Sequence, residues 1–155
     1  MVKKKKKILF VCTGNLCRSV IAEMFLKKIA SEKALALDVI SRGMMAVDGE
    51  KPPYETEFAA QYLGIDISSH RAHSIRVSDV DWADEILVME PWHKESLETL
   101  GGKGRIKGLW EFSKNRLDLI EDPFGKSLND HIRIADIIKD AIINWINKNE
   151  QEGFF

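Results

Sequence analysis

This sequence of 155 residues has few cysteines, almost no net charge and no long apolar run. The chain has two cysteines, Cys12 and Cys17, in one short stretch, and such a pair does not make the disulfide framework of a secreted fold. A formal net charge of −1 gives no global field that would recruit nucleic acid. No apolar run approaches the length of a membrane span, so no membrane insertion is expected. These absences favour a cytoplasmic protein in a reducing compartment.

Length and composition favour a single domain, residues 1–155, with a hydrophobic core. Hydrophobic residues make up 45% of the chain and charged residues 30%, as is usual for a globular protein in water. Five lysines at positions 3–7 precede the first apolar run, and we interpret residues 1–7 as a basic, solvated N-terminal flank. A nucleic-acid patch is the alternative interpretation of this run, but the overall charge predicts no nucleic-acid partner. No repeat or linker interrupts the chain, and we expect a monomer.

Apolar periodicity predicts strands that alternate with helices. Apolar runs predict strands at 8–12, 37–41, 85–89 and 105–109. Apolar residues at helical spacing predict helices at 18–31 and 129–148, and proline and glycine boundaries predict helices at 54–63 and 91–100. Residues 65–80 and 117–126 are expected to be irregular. The alternation predicts an α/β fold, a doubly wound four-stranded parallel sheet with helices on both faces, in which a ligand binds beyond the carboxyl ends of the strands.

Residues 12–19 join the first predicted strand to the first predicted helix in an arrangement that binds anions. The N–H groups of such a loop and the positive end of the helix converge on one point. At the base of this site Cys12 is favoured as a nucleophilic thiolate, and Arg18 can grip two phosphate oxygens in a fork. Gly14 removes a Cβ where the backbone approaches the ligand, and Asn15 tolerates a left-handed conformation. The sequence therefore predicts a phosphate-binding loop after the first strand.

The pattern Cys-x-Gly-Asn-x-Cys-Arg-Ser at residues 12–19, with Asp122 and Pro123 far downstream, resembles the low-molecular-weight protein tyrosine phosphatases. The resemblance extends from about residue 8 to the C-terminal helix. It implies a hydrolase that needs no cofactor and that acts on phosphorylated proteins. Cys12 would attack phosphorus to form a phosphocysteine, Arg18 would hold the phosphoryl oxygens, and Asp122 would protonate the leaving group and then activate water. The other residues of the implied phosphate-binding loop are Thr13, Gly14, Asn15, Leu16, Cys17 and Ser19.

Further positions take their expected roles from the same resemblance. His70 would help to hold the loop rigid rather than transfer protons, together with Ser41, Asn15 and Ser19. The expected walls of the substrate pocket are Leu16, Met45 and Phe124. No metal site is predicted, because the remaining histidines show no ligand spacing: His73, His93 and His131.

Two substrate classes fit the implied activity. Leu16 offers a bulky apolar group to the face of a phenyl ring, which favours phosphotyrosine. Arginine phosphatases, which this chain also resembles, usually have threonine at this position. The loop that carries Asp122 has a single aromatic residue, Phe124, and this feature occurs in both tyrosine and arginine phosphatases. A protein arginine phosphatase is therefore the alternative.

Two other functions fit the sequence less well. Arsenate reductases with a similar loop draw on resolving cysteines outside it, and this chain has no cysteine beyond Cys12 and Cys17. A non-catalytic phosphate-binding module would need neither the nucleophile nor the acid Asp122.

Cys17 lies on the same curved loop as Cys12, which predicts a redox partnership. Peroxide converts a reactive thiolate to a sulfenic acid, and a neighbouring thiol can trap this acid as a disulfide. We therefore predict that oxidation produces a reversible bond between Cys12 and Cys17.

Overall fold

Four parallel strands form the sheet on which the structure is built. The computed structural model describes residues 4–155, and Lys3 of the predicted basic flank lies with residues 1–2 outside the described residues. The strands are β1 (Lys6–Cys12), β2 (Leu37–Gly43), β3 (Glu85–Val88) and β4 (Ile106–Gly108). Their order across the sheet is β2-β1-β3-β4, with Ile8 of β1 paired to Val39 of β2 and to Glu85 of β3.

β1 is central because its side chains are apolar on both faces. Residues 8–11 are fully buried. Successive side chains of a strand point to opposite faces. Accordingly, Ile8 and Phe10 belong to one core cluster, and Leu9 and Val11 belong to a second cluster across the sheet.

Within residues 4–155, five α-helices flank the sheet. They are α1 (Arg18–Glu32), α2 (Tyr54–Tyr62), α3 (Val77–Trp82), α4 (Pro91–Leu97) and α5 (Leu128–Gln151). α1, α2 and α5 contribute to the cluster around Phe10, whereas α3 and α4 contribute Val80 and Leu97 to the cluster around Val11. This arrangement confirms the predicted doubly wound α/β fold. None of the helices in this part of the chain combines the length and apolar character that a membrane crossing needs.

α5 follows its sequence pattern closely. The apolar positions that predicted the helix are all buried: Ile134, Ile138, Ala141, Ile142 and Trp145. The helix begins after Ser127, whose Oγ accepts a hydrogen bond from the backbone N–H of Asp130 at 3.2 Å. This N-cap satisfies one of the free N–H groups of the first turn.

Several boundaries differ from the prediction, each for a local reason. β1 begins at Lys6, because Lys6 N donates to the Ala36 carbonyl at 2.9 Å, so the basic flank is shorter than residues 1–7. α3 begins within residues 65–80, which were predicted to be irregular, and it is too short for apolar periodicity to reveal. Its start is fixed by Asp79, whose carboxylate accepts from Arg76 N at 2.9 Å. The helix predicted at 91–100 keeps its α form only to Leu97, and Glu98–Gly102 form a π-turn in which Gly101 has a φ of 101°.

The carboxyl ends of the strands bring the predicted site residues to one edge of the sheet. Cys12 ends β1, Gly43 ends β2, and Met89 directly follows β3. The segment that leads to Asp122 is joined to this edge, because Ile120 N donates to the Met89 carbonyl at 2.8 Å. The loop after β1 and the Asp122 loop therefore lie side by side.

Candidate active site

Asn15 shapes the loop between β1 and α1. Its φ of 55° is left-handed, a conformation that asparagine tolerates better than most residues. Its side-chain Nδ2 donates to Ser19 Oγ at 2.8 Å and to Ser41 Oγ at 3.0 Å, and its Oδ1 accepts from His73 N at 2.9 Å. The Asn15 side chain thus makes three hydrogen bonds from inside the turn, and these bonds hold the loop in one curved conformation.

Cys12 lies at the bottom of this loop. It is 2% exposed, and its Sγ lies 2.9 Å from Ser19 Oγ and 3.3 Å from the backbone N of Asn15. Both groups can donate a hydrogen bond to the sulfur, which is the support that a nucleophilic thiolate needs.

Arg18 is buried at the opposite end of the loop, with 1% exposure. Its Nη1 donates to Glu90 Oε2 at 2.7 Å and to the Ile120 carbonyl at 2.6 Å. Its Nη2 lies 3.3 Å from Thr13 Oγ1 and 3.5 Å from Asp122 Oδ2. The Nε atom is buried and has no hydrogen-bond partner among residues 4–155. A buried guanidinium with a free N–H is suited to bind an anion that enters the site.

Asp122 faces the guanidinium from its own loop. Its side chain is 44% exposed, and its Oδ1 accepts a hydrogen bond from Phe124 N at 3.1 Å. This Asx turn leaves Oδ2 on the side of Arg18. Asp122 can therefore reach both solvent and a group bound against the guanidinium, as a proton donor and acceptor must.

These residues enclose a cavity of about 150 Å³. Its lining consists of Cys12, Thr13, Gly14, Leu16, Cys17, Arg18, Asp122 and Phe124. Leu16 and Phe124 supply the large apolar side chains. Met45, expected as a wall, is not among the lining residues. Its N–H donates to the Thr13 carbonyl at 2.8 Å, so it supports the loop through its backbone while its side chain is 71% exposed.

The residues expected to hold the loop rigid do contact it. His70 Nε2 donates to the Asn15 carbonyl at 2.8 Å, and burial lowers the pKa of His70. Ser41, which accepts from Asn15, donates in turn to Glu23 Oε1 at 2.6 Å. The loop is therefore connected to β2, to α1 and to the segment before α3.

Gly43 is a supporting residue that the sequence reasoning missed. A Cβ at this position would lie 2.8 Å from the Thr13 carbonyl oxygen and 2.8 Å from Asn15 N. Only glycine lets the end of β2 approach the loop so closely. The signal in the sequence was a glycine two residues beyond a predicted strand.

His93 is the second residue that was missed. It is fully buried, its Nε2 lies 3.0 Å from Thr13 Oγ1, and its Nδ1 accepts from Glu90 N at 3.1 Å. Burial first, and then the Arg18 cation, lower the pKa of His93 to about 3. The ring is therefore neutral near pH 7. No spacing in the sequence indicated this contact, which joins residues 80 positions apart.

A further buried chain of contacts leads away from Cys17. Thr56 Oγ1 donates to Cys17 Sγ at 3.1 Å and lies 3.0 Å from His131 Nδ1. Burial raises the pKa of Cys17 to about 12, so this thiol is protonated near pH 7. Burial also lowers the pKa of His131. The two cysteines of the loop thus have different environments, and Thr56 and His131 were not predicted to lie there.

Residues 4–155 contain no group of three or more histidine, cysteine or carboxylate side chains that could hold a metal ion. The arrangement that does exist consists of a cysteine, an arginine and an aspartate around one cavity. This combination suits nucleophilic attack on a phosphorus atom.

Comparison with known proteins agrees with this geometry. A family model described as low molecular weight phosphotyrosine protein phosphatase matches residues 7–153. A probable low molecular weight protein-tyrosine-phosphatase, EpsP from Ralstonia nicotianae, is 33% identical over 147 residues, which cover 91% of this chain and 94% of that protein. A protein-arginine-phosphatase from Geobacillus stearothermophilus is 28% identical over 148 residues, which cover 94% of this chain and 97% of that protein.

The fold is also similar to that of solved structures. The crystal structure of a low molecular weight protein tyrosine phosphatase from T. tengcongensis superposes with a TM-score of 0.85 at 33% sequence identity. The match covers 93% of this chain and 99% of that chain. Sequence motif, cavity, family model and structural neighbour agree, and the chain belongs to the low molecular weight protein tyrosine phosphatase family.

Proposed function

We propose that this chain hydrolyses phosphotyrosine in proteins through a phosphocysteine intermediate. The observation that carries the proposal is the convergence of Cys12, Arg18 and Asp122 on one cavity, with a buried Nε–H of Arg18 left without a partner among the described residues. Phosphorylated proteins would be the partners, and the chemistry needs no metal or cofactor.

The first step transfers the phosphoryl group to sulfur. Cys12 Sγ attacks phosphorus, and the bond from phosphorus to the leaving oxygen breaks. Arg18 and the loop amides hold the phosphoryl oxygens as charge spreads over them in the transition state. Asp122 gives its proton to the departing oxygen, which leaves as an alcohol or phenol.

The second step releases phosphate. Asp122, now a carboxylate, takes a proton from a water molecule as that water attacks phosphorus. The phosphorus–sulfur bond breaks, and Cys12 returns to the thiolate, with Ser19 and Asn15 N placed to stabilise it. Asp122 ends the cycle protonated and ready for the next substrate.

Phosphotyrosine is favoured by the apolar walls of the cavity. Leu16 and Phe124 can contact the two faces of a phenyl ring. Phe124 is 58% exposed, so its ring is accessible to a ligand that enters the cavity. The relative from Ralstonia nicotianae is named a tyrosine phosphatase.

Phosphoarginine is the second candidate substrate. The relative from Geobacillus stearothermophilus is named a protein-arginine-phosphatase and matches almost the whole chain. The half-exposed Asp122 carboxylate beside the cavity could accept hydrogen bonds from a guanidinium leaving group.

Turnover of matched peptides containing phosphotyrosine, phosphoserine or phosphoarginine tests the proposal. Cys12→Ser should abolish turnover while inorganic phosphate or vanadate still binds, because the loop amides and Arg18 remain. A Cys12→Ser protein that retains more than a few per cent of wild-type turnover would exclude Cys12 as the nucleophile.

We also propose that residues 1–155 act as one cytoplasmic domain. The core cluster around Phe10 draws on residues from Ile8 to Ile146, which supports one domain, and both thiols are free, which fits a reducing compartment. The monomeric state stays a prediction that light scattering after size-exclusion chromatography would test.

A further inference from the structure

We propose that His93 sets the direction of the Thr13 hydroxyl, so that this hydroxyl donates a hydrogen bond to the phosphoryl group in the cavity. The inference rests on the proposed function. It adds one binding group, the Thr13 hydroxyl, and one positioning residue, His93, which acts through Thr13 rather than on the substrate.

The first step is the position of the proton on His93. Glu90 N–H donates to His93 Nδ1 at 3.1 Å, so Nδ1 is an acceptor and carries no proton. The ring is fully buried beside the Arg18 cation, and it is neutral near pH 7. A neutral imidazole has one N–H, which must then be at Nε2.

The second step is the direction of the bond to Thr13. The Nε2–H of His93 has Thr13 Oγ1 at 3.0 Å and Glu90 Oε2 only at 3.9 Å, so the hydroxyl oxygen is its acceptor. The same oxygen accepts from Arg18 Nη2 at 3.3 Å. A hydroxyl has two lone pairs and one proton. Two donors occupy the lone pairs of Thr13, so its proton must point away from both His93 and Arg18.

The third step is the acceptor for that proton. Among residues 4–155, no group accepts a hydrogen bond from Thr13 Oγ1. Thr13 lines the cavity together with Cys12 and Arg18, where a phosphoryl group would sit. A phosphoryl oxygen is anionic, and a hydroxyl already polarised by two donors is a stronger donor itself. The phosphoryl group is therefore the acceptor that completes the hydrogen bonding of Thr13.

A purely structural role for His93 predicts something different. His93 is the third residue of α4, and its bond to Glu90 N satisfies the start of that helix. If this were its whole role, replacement of His93 would affect stability, and its effect on phosphate binding would not depend on the hydroxyl of Thr13.

The test measures the Kd of inorganic phosphate by calorimetry and kcat/KM for an aryl phosphate in matched variants. Thr13→Val removes the hydroxyl at nearly constant shape, and Thr13→Ser keeps it. His93→Leu removes the Nε2 donor, and His93→Gln keeps an N–H of similar reach. Thr99→Val, which removes an exposed hydroxyl on the π-turn, serves as the control. Thermal unfolding of each variant reports whether it folds.

Thr13→Val should weaken phosphate binding about tenfold, the size of one hydrogen bond to a charged group, and Thr13→Ser should bind within about twofold of wild type. His93→Leu should show the loss of Thr13→Val, and His93→Gln should recover most of it. The double variant Thr13→Val/His93→Leu should lose no more phosphate affinity than Thr13→Val alone, because His93 acts through the Thr13 hydroxyl.

Unchanged phosphate binding in Thr13→Val, in a protein that still turns over substrate, would overturn this inference and leave the proposed function intact. An equal loss from His93→Leu with and without the Thr13 hydroxyl would also overturn it. If His93→Leu does not fold, two other comparisons of phosphate affinity test the inference. They are Thr13→Val against Thr13→Ser, and His93→Gln against wild type. A wild type that binds phosphate without turnover would refute the proposed function only, and one that does neither would refute both.

Discussion

Arg18 Nη1 lies 2.7 Å from Glu90 Oε2, and this ion pair joins the first turn of α1 to the end of β3. The Arg18 side chain is almost completely buried, whereas that of Glu90 keeps partial access to solvent. The carboxylate therefore fixes the plane of the guanidinium before any ligand arrives, and the binding site is formed in advance of binding.

We expect Glu90→Gln to lower kcat/KM about tenfold or more, because the guanidinium loses a charged partner while keeping a hydrogen-bond acceptor. Steady-state kinetics with an aryl phosphate measures this. Glu150→Gln is a matched control, since the Glu150 carboxylate pairs with the exposed side chain of Lys33 and exposed pairs contribute little. Equal activity in the Glu90 and Glu150 variants would show that Arg18 needs no carboxylate to orient it.

Leu16→Thr should shift the substrate preference away from phosphotyrosine. Threonine removes apolar contact with a phenyl ring and adds a hydroxyl, a change worth about 1–3 kcal/mol in relative kcat/KM for an ordinary pocket residue. The measurement is the ratio of kcat/KM for phosphotyrosine and phosphoarginine peptides in both proteins. A wild type that prefers phosphoarginine, or a ratio that the substitution leaves unchanged, would remove Leu16 as the selecting residue.

Peroxide should produce a Cys12–Cys17 disulfide that thiols reverse. Peroxide oxidises the Cys12 thiolate to a sulfenic acid, and the thiolate of Cys17 then attacks that sulfur and expels hydroxide. Because burial raises the pKa of Cys17 to about 12, disulfide formation should accelerate about tenfold for each pH unit between roughly pH 7 and pH 9. Mass spectrometry of samples quenched over time measures the rate. If the Cys17→Ala protein recovers its activity after peroxide treatment as completely as wild type, Cys17 does not protect Cys12.

The free energy of unfolding should fall as the pH decreases below about 6.5, in part because of His93. In the unfolded chain this histidine takes up a proton near its ordinary pKa of 6.5, whereas the folded protein keeps it neutral down to about pH 3. The unfolded state therefore binds more protons in this window, and each pH unit costs about 1.4 kcal/mol for this group. Urea unfolding of wild type and His93→Gln between pH 7 and about pH 5 tests this. The pH dependence of His93→Gln should be flatter, and parallel curves would contradict the prediction.

The parts of the fold that sequence predicted well are those with strong apolar patterns. β1 is apolar on both faces, and the apolar inward positions of α5 recur over about three turns, from Ile134 to Ile146, so tertiary packing reinforces what the local sequence favours. α3 has six residues, and its start depends on contacts of the single carboxylate Asp79 with Arg76 and Arg42. Such a helix leaves no periodic signal.

The candidate site divides in the same way. Residues 12–19 are contiguous, so their spacing alone predicted a tight loop between β1 and α1, and the structure has this loop. His93, Thr56 and His131 reach this loop only through the packing of distant elements, and their contacts have no signature in the linear sequence. Met45 was expected as a wall of the substrate pocket, but the backbone bond from Met45 N to Thr13 O directs its side chain into solvent instead.

The bond from Arg18 Nη1 to the Ile120 carbonyl spans 102 residues of chain. During synthesis on the ribosome, the loop of residues 12–19 emerges first, and about 100 further residues must follow before this carbonyl and the Asp122 carboxylate exist. A nascent chain that ends before residue 120 carries Cys12, the proposed nucleophile, but lacks Asp122, the proposed acid, and the carbonyl that accepts from Arg18. The proposed catalytic site is thus complete only after residues 120–122 have been synthesised and have docked onto the first turn of α1.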